Sequence, residues 1–127
     1  MVAKYVFSAI AAAGLLVAAS GTVLADGDVK DGKKVFNKCK VCHTLEEGQH
    51  KIGPSLAGVI GRTAGTAEGF KYSDAMKESG VVWDEDTLDK YLADPKGFIP
   101  GNKMAFAGLK KEDDREDVIA YIESGGE

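Results

Sequence analysis

Apolar residues recur at three- and four-residue spacing over residues 26–40, which predicts an amphipathic helix there. Asp28 is placed to cap this helix, because its carboxylate can accept hydrogen bonds from the free N–H groups at a helix start. Gly32 falls inside the apolar stripe, although glycine destabilises a helix relative to alanine. We therefore expect either a close contact with another helix at Gly32 or simply a weak helix.

Three further stretches carry helical patterns with recognisable ends. Ser73 can cap a short helix through residue 79, and Asp84 can cap another, which Pro95 ends. The last predicted helix covers residues 111–124. Acidic residues crowd its first turns, where the helix dipole favours negative charge, and a glycine follows its end. No stretch alternates apolar and polar residues as a half-buried strand would.

Two long segments between these helices predict loops. Residues 48–69 are rich in glycine but lack the spacing of a phosphate-binding loop. Residues 95–108 contain two prolines and three glycines, and we expect them to lack regular structure. Long loops in a small domain are usually functional or packed against another group.

The N-terminus has the pattern of a secretory signal peptide. Lys4 is followed by an apolar stretch over 5–19, and Ala25 closes an acceptable small-residue cleavage site. The alternative is a retained membrane anchor, but the apolar stretch is shorter than the ~20 residues that a spanning helix needs. We therefore expect residues 1–25 to be removed and residues 26–127 to form a single domain, exported to the periplasm with no membrane span.

The charge balance narrows the range of partners. The chain has 16 Lys and Arg residues against 20 Asp and Glu residues, a net charge of −4. Removal of Lys4 with the signal peptide would make the net charge of the chain one unit more negative. An acidic balance argues against a general nucleic-acid binder, so we expect no nucleic-acid partner.

The sequence Cys39-Lys40-Val41-Cys42-His43 has the C-x-x-C-H spacing of a covalent haem c attachment site. Two thiols one helical turn apart can each add to a vinyl group of the same porphyrin. His43 would then lie under the ring and could give an imidazole nitrogen to the iron. The chain has no other cysteine, so nothing competes for this role.

Three other interpretations of the same residues are weaker. A thiol–disulfide redox motif belongs to a βαβ pattern, which the sequence lacks. A zinc site would need Cys39, Cys42, His43 and His50 as its four ligands, although His43 directly follows Cys42. A disulfide between Cys39 and Cys42 would close a small, strained ring.

Two loop residues complete the candidate site. The carbonyl of Pro54 could accept the Nδ1 proton of His43, as metal-bound histidines generally require, or Pro54 could be a plain turn residue.

A lone methionine is more often core filler than a ligand. Met104, however, lies in the flexible 95–108 loop, where it could reach the second face of a haem, whereas Met76 lies in a predicted helix.

With these residues placed, the chain resembles the class I c-type cytochromes, close to the bacterial cytochrome c2 and mitochondrial cytochrome c group. The resemblance covers 26–127 and rests on these segments: G-K-K-V-F (32–36), G-P-S-L-A-G-V-I-G-R (53–62), G-F-K-Y-S-D-A (69–75), W-D-E-D-T-L-D-K-Y-L-A-D-P-K (83–96), I-P-G-N-K-M-A-F-A-G (99–108) and R-E-D-V-I-A-Y-I (115–122). It implies an all-α cytochrome c fold, with about four to five helices and long loops wrapped around one covalently bound haem c.

The resemblance also implies roles for individual residues. Cys39 and Cys42 match the thioether links, and His43 and Met104 match the axial ligands of the iron. Five further residues match positions around the haem. Pro54 matches the carbonyl partner of the axial histidine, and Tyr91 matches a residue near the axial sulfur. The residues matched to the surroundings of the haem propionates are Arg62, Tyr72 and Trp83. Gly32 and Tyr121 match the contact between the first and last helices. Met76 and Asn102 depart from the pattern, replacing an asparagine and a threonine common in relatives.

The implied function is one-electron transfer without enzymatic catalysis. A peroxidase or a ligand sensor needs an open iron position, which Met104 would close. We expect a soluble, monomeric periplasmic carrier between membrane redox complexes, from a bc1-type donor to a reaction centre or terminal oxidase, in photosynthesis or respiration. Docking would be electrostatic, through a basic face formed by Lys38, Lys51, Lys96, Lys103, Lys110 and Lys111. The alternative is that these lysines are scattered and merely solvated.

Overall fold

A computed structural model describes Gly14 and residues 27–127, so the predicted signal peptide lies outside the described residues apart from Gly14. The described chain contains five helices: α1 (Val29–Phe36), α2 (Asp74–Glu78), α3 (Glu85–Ala93), α4 (Pro95–Phe98) and α5 (Glu112–Glu123). Within residues 27–127, extended backbone pairs only at one isolated bridge, between Thr63 and Val82. The all-α expectation is confirmed.

Helix α1 begins as predicted but ends early. The Asp28 carboxylate accepts hydrogen bonds from the N–H groups of Lys30 and Asp31, which confirms the cap. The helix ends at Phe36, so the predicted end at residue 40 is wrong. After Phe36 the N–H groups of residues 37–39 bond to carbonyls three residues back, which tightens the chain into turns. The attachment motif therefore lies in turns that follow the helix.

Helices α1 and α5 cross at Gly32. A Cβ at Gly32 would collide with the Asp117 carbonyl and with Cβ of Tyr121. One turn further along α1, the rings of Phe36 and Tyr121 lie 5.2 Å apart, and Val118 of α5 is fully buried. The expected close contact at Gly32 is confirmed, and the two ends of the described chain are joined there.

The caps of α2 and α3 match the sequence. Ser73 Oγ accepts from the Met76 N–H at 3.1 Å. Asp84 accepts from the Thr87 N–H at 2.8 Å, while Thr87 Oγ1 accepts from the Asp84 N–H at 2.9 Å. This reciprocal pair satisfies two N–H groups at the start of α3 and fixes the direction in which it leaves the loop.

Helix α4 corrects the expectation that residues 95–108 lack regular structure. Pro95 ends α3 as predicted, but it also occupies the first turn of α4, where its fixed φ is favourable and no N–H is needed. The Asp94 carboxylate caps the new helix by accepting from the Gly97 N–H at 3.1 Å. The remainder, 99–108, is irregular and carries Met104.

Helix α5 supplies much of the core and ties it to α3. The Arg115 guanidinium donates to Asp89 of α3 at 2.7 Å and to the Leu109 carbonyl at 2.9 Å. Gly125, with φ +76°, turns the chain just after the helix as predicted. No helix of the described chain has the length and apolar character needed to cross a membrane.

Candidate haem-attachment site

The attachment motif is a hydrogen-bonded turn immediately after α1. The N–H groups of Cys42 and His43 both donate to the Cys39 carbonyl, at 3.0 Å and 2.9 Å. The Gly53 N–H donates to the Cys42 carbonyl at 2.8 Å, which holds a neighbouring loop against the motif. Both cysteines are free thiols and half-buried, so the disulfide interpretation fails. The turn keeps both thiols available to one group.

The thiol-redox interpretation is not supported by the environment of Cys39. Burial raises the pKa of the Cys39 thiol and Cys42 adds to the rise, while the Lys38 charge offsets only part of it. Redox-active cysteines need a depressed thiol pKa, because the thiolate is the nucleophile. A βαβ unit is also absent from residues 27–127.

The zinc interpretation fails because both ring nitrogens of His50 already form hydrogen bonds. Its Nδ1 accepts from the Ser55 N–H at 3.0 Å, so its Nε2 donates to the Glu68 carbonyl at 2.7 Å. Both ring nitrogens are used in joining two loops. In the part of the chain that the structure describes, no cluster of three or more His, Cys, Asp and Glu residues could hold a metal ion.

His43 is held in one orientation and one tautomer. Its Nδ1 lies 2.7 Å from the Pro54 carbonyl oxygen. A carbonyl only accepts, so Nδ1 carries the proton and the lone pair of Nε2 is available to a metal. Burial lowers the pKa of His43, against a smaller opposing effect of this carbonyl. The side chain is therefore a neutral imidazole suited to bind iron.

Gly53 is a site residue whose contact the sequence did not reveal. A Cβ at this position would collide with the His43 ring. The loop can approach the imidazole closely enough for the Pro54 hydrogen bond only because residue 53 has no side chain. A glycine followed by proline is the signal in the sequence, but it does not identify the histidine as the neighbour.

Replacing Gly53 with alanine is expected to displace the His43 ring and weaken its bond to Pro54. Overpacking of this kind costs about 1–3 kcal/mol of unfolding free energy. Thermal unfolding and the absorption spectrum of the haem-loaded variant measure the two effects. Gly48→Ala is the control for the spectrum: its φ of 72° costs stability by itself, but no neighbour lies within 4 Å, so the His43 ring should stay in place. Gly53→Ala with the spectrum and stability of the unmodified protein would contradict the contact.

Met104 is restrained at both its sulfur and its backbone. The Tyr91 O–H donates to Met104 Sδ at 3.8 Å, and the Met104 N–H donates to Asn102 Oδ1 at 2.9 Å. Burial raises the pKa of Tyr91 to about 12, so the phenol keeps its proton at neutral pH. Met76 instead lies in α2 and packs against the core. Met104 is the methionine in a loop, as the sequence predicts.

The residues matched to the propionates lie in two groups. Trp83 is buried, its ring centroid lies 5.0 Å from that of Tyr91, and its backbone N–H donates to the Arg62 carbonyl at 2.9 Å. The Arg62 guanidinium donates to the carbonyls of Ser55 and Ala57. Tyr72 packs edge-on against Phe70, and its hydroxyl accepts from the Ala67 N–H at 3.2 Å. Trp83 and Arg62 are therefore joined through the backbone, whereas Tyr72 lies in an aromatic group with Phe70.

These residues fit a haem c chemically. Two thiols in one turn, a neutral imidazole and a thioether are the donor set that such a group uses. Several apolar side chains from different segments pack against the core yet stay half-buried, among them Cys39, Leu56, Ile60, Met104 and Phe106. A flat apolar macrocycle would cover surface of this kind, which a chain this small cannot bury alone.

Comparisons with known proteins agree with the geometry. The family model described as Cytochrome c matches residues 29–126. Cytochrome c2 iso-2 of Magnetospirillum fulvum is 61% identical over 94 residues, covering 74% of this chain and 98% of that protein. Cytochrome c 2.1 of Caenorhabditis elegans is 56% identical over 98 residues, covering 76% of this chain and 88% of that protein. The solved structure of cytochrome cH from Methylobacterium extorquens superposes with a TM-score of 0.73 at 43% identity, covering 77% of this chain and 99% of that structure's chain. The chain therefore belongs to the cytochrome c family, whose members bind one covalent haem c and carry electrons rather than act as enzymes.

Proposed function

We propose that Cys39 and Cys42 hold haem c through thioether bonds and that His43 and Met104 are the axial ligands of its iron. The observation that carries this assignment is the hydrogen bond of His43 Nδ1 to the Pro54 carbonyl, which leaves Nε2 free to bind a metal. Each thiol adds its S–H across one vinyl double bond, so the thioether forms without a leaving group. Loss of covalent haem from the double variant Cys39→Ala with Cys42→Ala, and loss of the sulfur-to-iron absorption band from Met104→Ala, test this assignment.

The residues of this chain would hold the iron in one six-coordinate geometry during electron transfer. Bound haem c supplies a reversible one-electron couple. The Pro54 carbonyl fixes the His43 ring, the Tyr91 hydroxyl holds the sulfur of Met104, and the Asn102 amide holds its backbone N–H. A thioether ligand favours the reduced iron, which raises the potential relative to harder ligands. These contacts would keep His43 and Met104 in place while the haem-loaded protein takes up and releases an electron.

The finer proposal is that this carrier works in the periplasm between membrane redox complexes. It would take electrons from a bc1-type complex and deliver them to a reaction centre or a terminal oxidase, as a monomer. The signal-peptide pattern over 1–25 and the similarity to a bacterial cytochrome c2 support this location.

We further propose that the partner complexes dock on a basic face at the attachment motif and the Met104 loop. All six lysines of this face are exposed: Lys38, Lys51, Lys96, Lys103, Lys110 and Lys111. The Lys51 ammonium donates to the Lys40 carbonyl within the motif at 2.8 Å. By contrast, Lys77 and Lys90 form ion pairs with acids of their own helices. A basic face on an acidic protein would steer it toward acidic partners.

Two exposed apolar side chains accompany these lysines. Val41 is 66% exposed and Ile52 is 78% exposed. They lie on neighbouring segments, because Lys51 bonds to the Lys40 carbonyl and the Gly53 N–H bonds to the Cys42 carbonyl. A small apolar patch rimmed by lysines matches the anatomy of a transient docking contact.

The electron-transfer rate to an isolated bc1-type complex, measured over a range of ionic strengths, tests the basic face. We expect the rate to fall as salt rises, because screening removes the steering. Lys38→Glu, Lys51→Glu and Lys103→Glu should each slow the reaction several-fold at low salt. Lys90→Glu changes the net charge equally but lies on α3 beside Asp86, and it should have little effect. A rate independent of salt, or equal losses for all four variants, would favour merely solvated lysines.

A further inference from the structure

Asn102 is a buried polar side chain in the irregular segment that carries Met104. It is 5% exposed, and the resemblance that identifies the family does not assign it a role. Its Nδ2 donates to the carbonyls of Pro95 and Ile99, at 2.8 Å and 2.9 Å, and its Oδ1 accepts from the Met104 N–H at 2.9 Å. Three hydrogen bonds thus converge on one amide.

These bonds join the Met104 backbone to α4. The Pro95 and Ile99 carbonyls belong to the first residue of α4 and to the residue that ends it, and each also accepts one backbone N–H, from Ile99 and from Asn102 respectively. The amide nitrogen gives each carbonyl a second donor, while the amide oxygen holds the N–H two residues ahead. Only Lys103, which is exposed, separates Asn102 from Met104. The geometry also fixes the orientation of the amide, since only nitrogen can donate to two carbonyls.

The second restraint on Met104 comes from another helix. Tyr91 of α3 donates to the sulfur at 3.8 Å. The sulfur is thus positioned from α3 and the backbone from α4. Without the Asn102 amide, the Met104 N–H would lose its partner and each of the two carbonyls would keep only its backbone donor. The hydrogen bond from Tyr91 to the sulfur would remain.

We propose that Asn102 is a positioning residue that determines how firmly Met104 occupies the sixth coordination position of the haem iron. It thereby sets how strongly the protein excludes small nitrogen ligands such as imidazole. This inference rests on the ligand assignment proposed above and extends it to a residue that does not itself bind the iron.

The test is a titration of the ferric haem-loaded protein with imidazole, followed through loss of the sulfur-to-iron absorption band. Asn102→Asp keeps the size of the side chain but places oxygen against two carbonyls, and Asn102→Ala removes all three bonds. We expect each variant to bind imidazole about tenfold more tightly or better, the effect of losing a buried hydrogen-bond network. If Asn102→Asp fails to fold, Asn102→Ala still provides the measurement.

Val118→Ala is the control for a loss of stability alone. Val118 is fully buried in α5, and its apolar side chain makes no hydrogen bond to His43 or Met104. Thermal unfolding of all three variants measures the general loss, and Val118→Ala should leave imidazole affinity unchanged. Asn102 variants that lose stability but keep the imidazole affinity of the unmodified protein would overturn the proposal. An unmodified protein without the band would instead overturn the ligand assignment itself, and with it this role for Asn102.

Discussion

Replacing both motif cysteines, as Cys39→Ala with Cys42→Ala, is expected to abolish covalent attachment of haem. Each thioether needs one thiol, and the described chain contains no other cysteine that could substitute. The double variant should carry no haem through a denaturing gel, and its mass should equal that of the polypeptide alone. Each single variant keeps one thiol and is expected to retain at most one thioether link.

Met104→Ala is the control for this experiment. It removes a proposed axial ligand but neither thiol, so it should carry covalent haem through the same gel. Haem that stays bound to the double cysteine variant under denaturing conditions would contradict attachment at Cys39 and Cys42.

Replacing Gly32 with valine is expected to cost about 3 kcal/mol of unfolding free energy or more, the upper end for overpacking a core. The new side chain would collide with the Asp117 carbonyl and with Cβ of Tyr121. Neither can yield easily, because both atoms belong to the well-packed helix α5. Denaturant unfolding of the haem-loaded protein measures the loss.

Lys33→Val places the same β-branched residue at the next position of α1, which is exposed. It should show only the small cost of lower helix propensity, a few tenths of a kcal/mol to ~0.7 kcal/mol. Equal losses for Gly32→Val and Lys33→Val would mean that the α1–α5 contact contributes little to stability.

Helix starts are the features predicted best, because the residues that determine them lie within a few positions of one another. Asp28, Ser73 and Asp84 each accept hydrogen bonds from N–H groups two or three residues ahead, so the residue type and its position are enough to place a helix start. The signal for the short helix α4 is also local, but it is ambiguous. Pro95 and the glycines around it suggest a loop, but Asp94 together with Pro95 is also a helix start.

The features that depend on distant neighbours could not be predicted from local pattern. Gly53 and His43 are ten positions apart, and only the fold shows that a side chain on one would strike the other. The partners of the Asn102 amide are nearer, at most seven residues away, but they lie on both sides of it along the chain, so no single capping pattern indicates them. From the sequence alone, Pro54 is equally compatible with a plain turn, and the 2.7 Å hydrogen bond resolves that choice.

The absorption spectrum of the purified protein, oxidised and reduced, beside that of Met104→Ala tests the central claim most directly. We expect the unmodified protein to contain covalent, low-spin haem c and, when oxidised, to show the weak far-red band of a sulfur-to-iron bond. Met104→Ala should keep the covalent haem and lose that band. A high-spin spectrum of the unmodified protein, or a band that survives in Met104→Ala, would contradict His43 and Met104 as the axial pair.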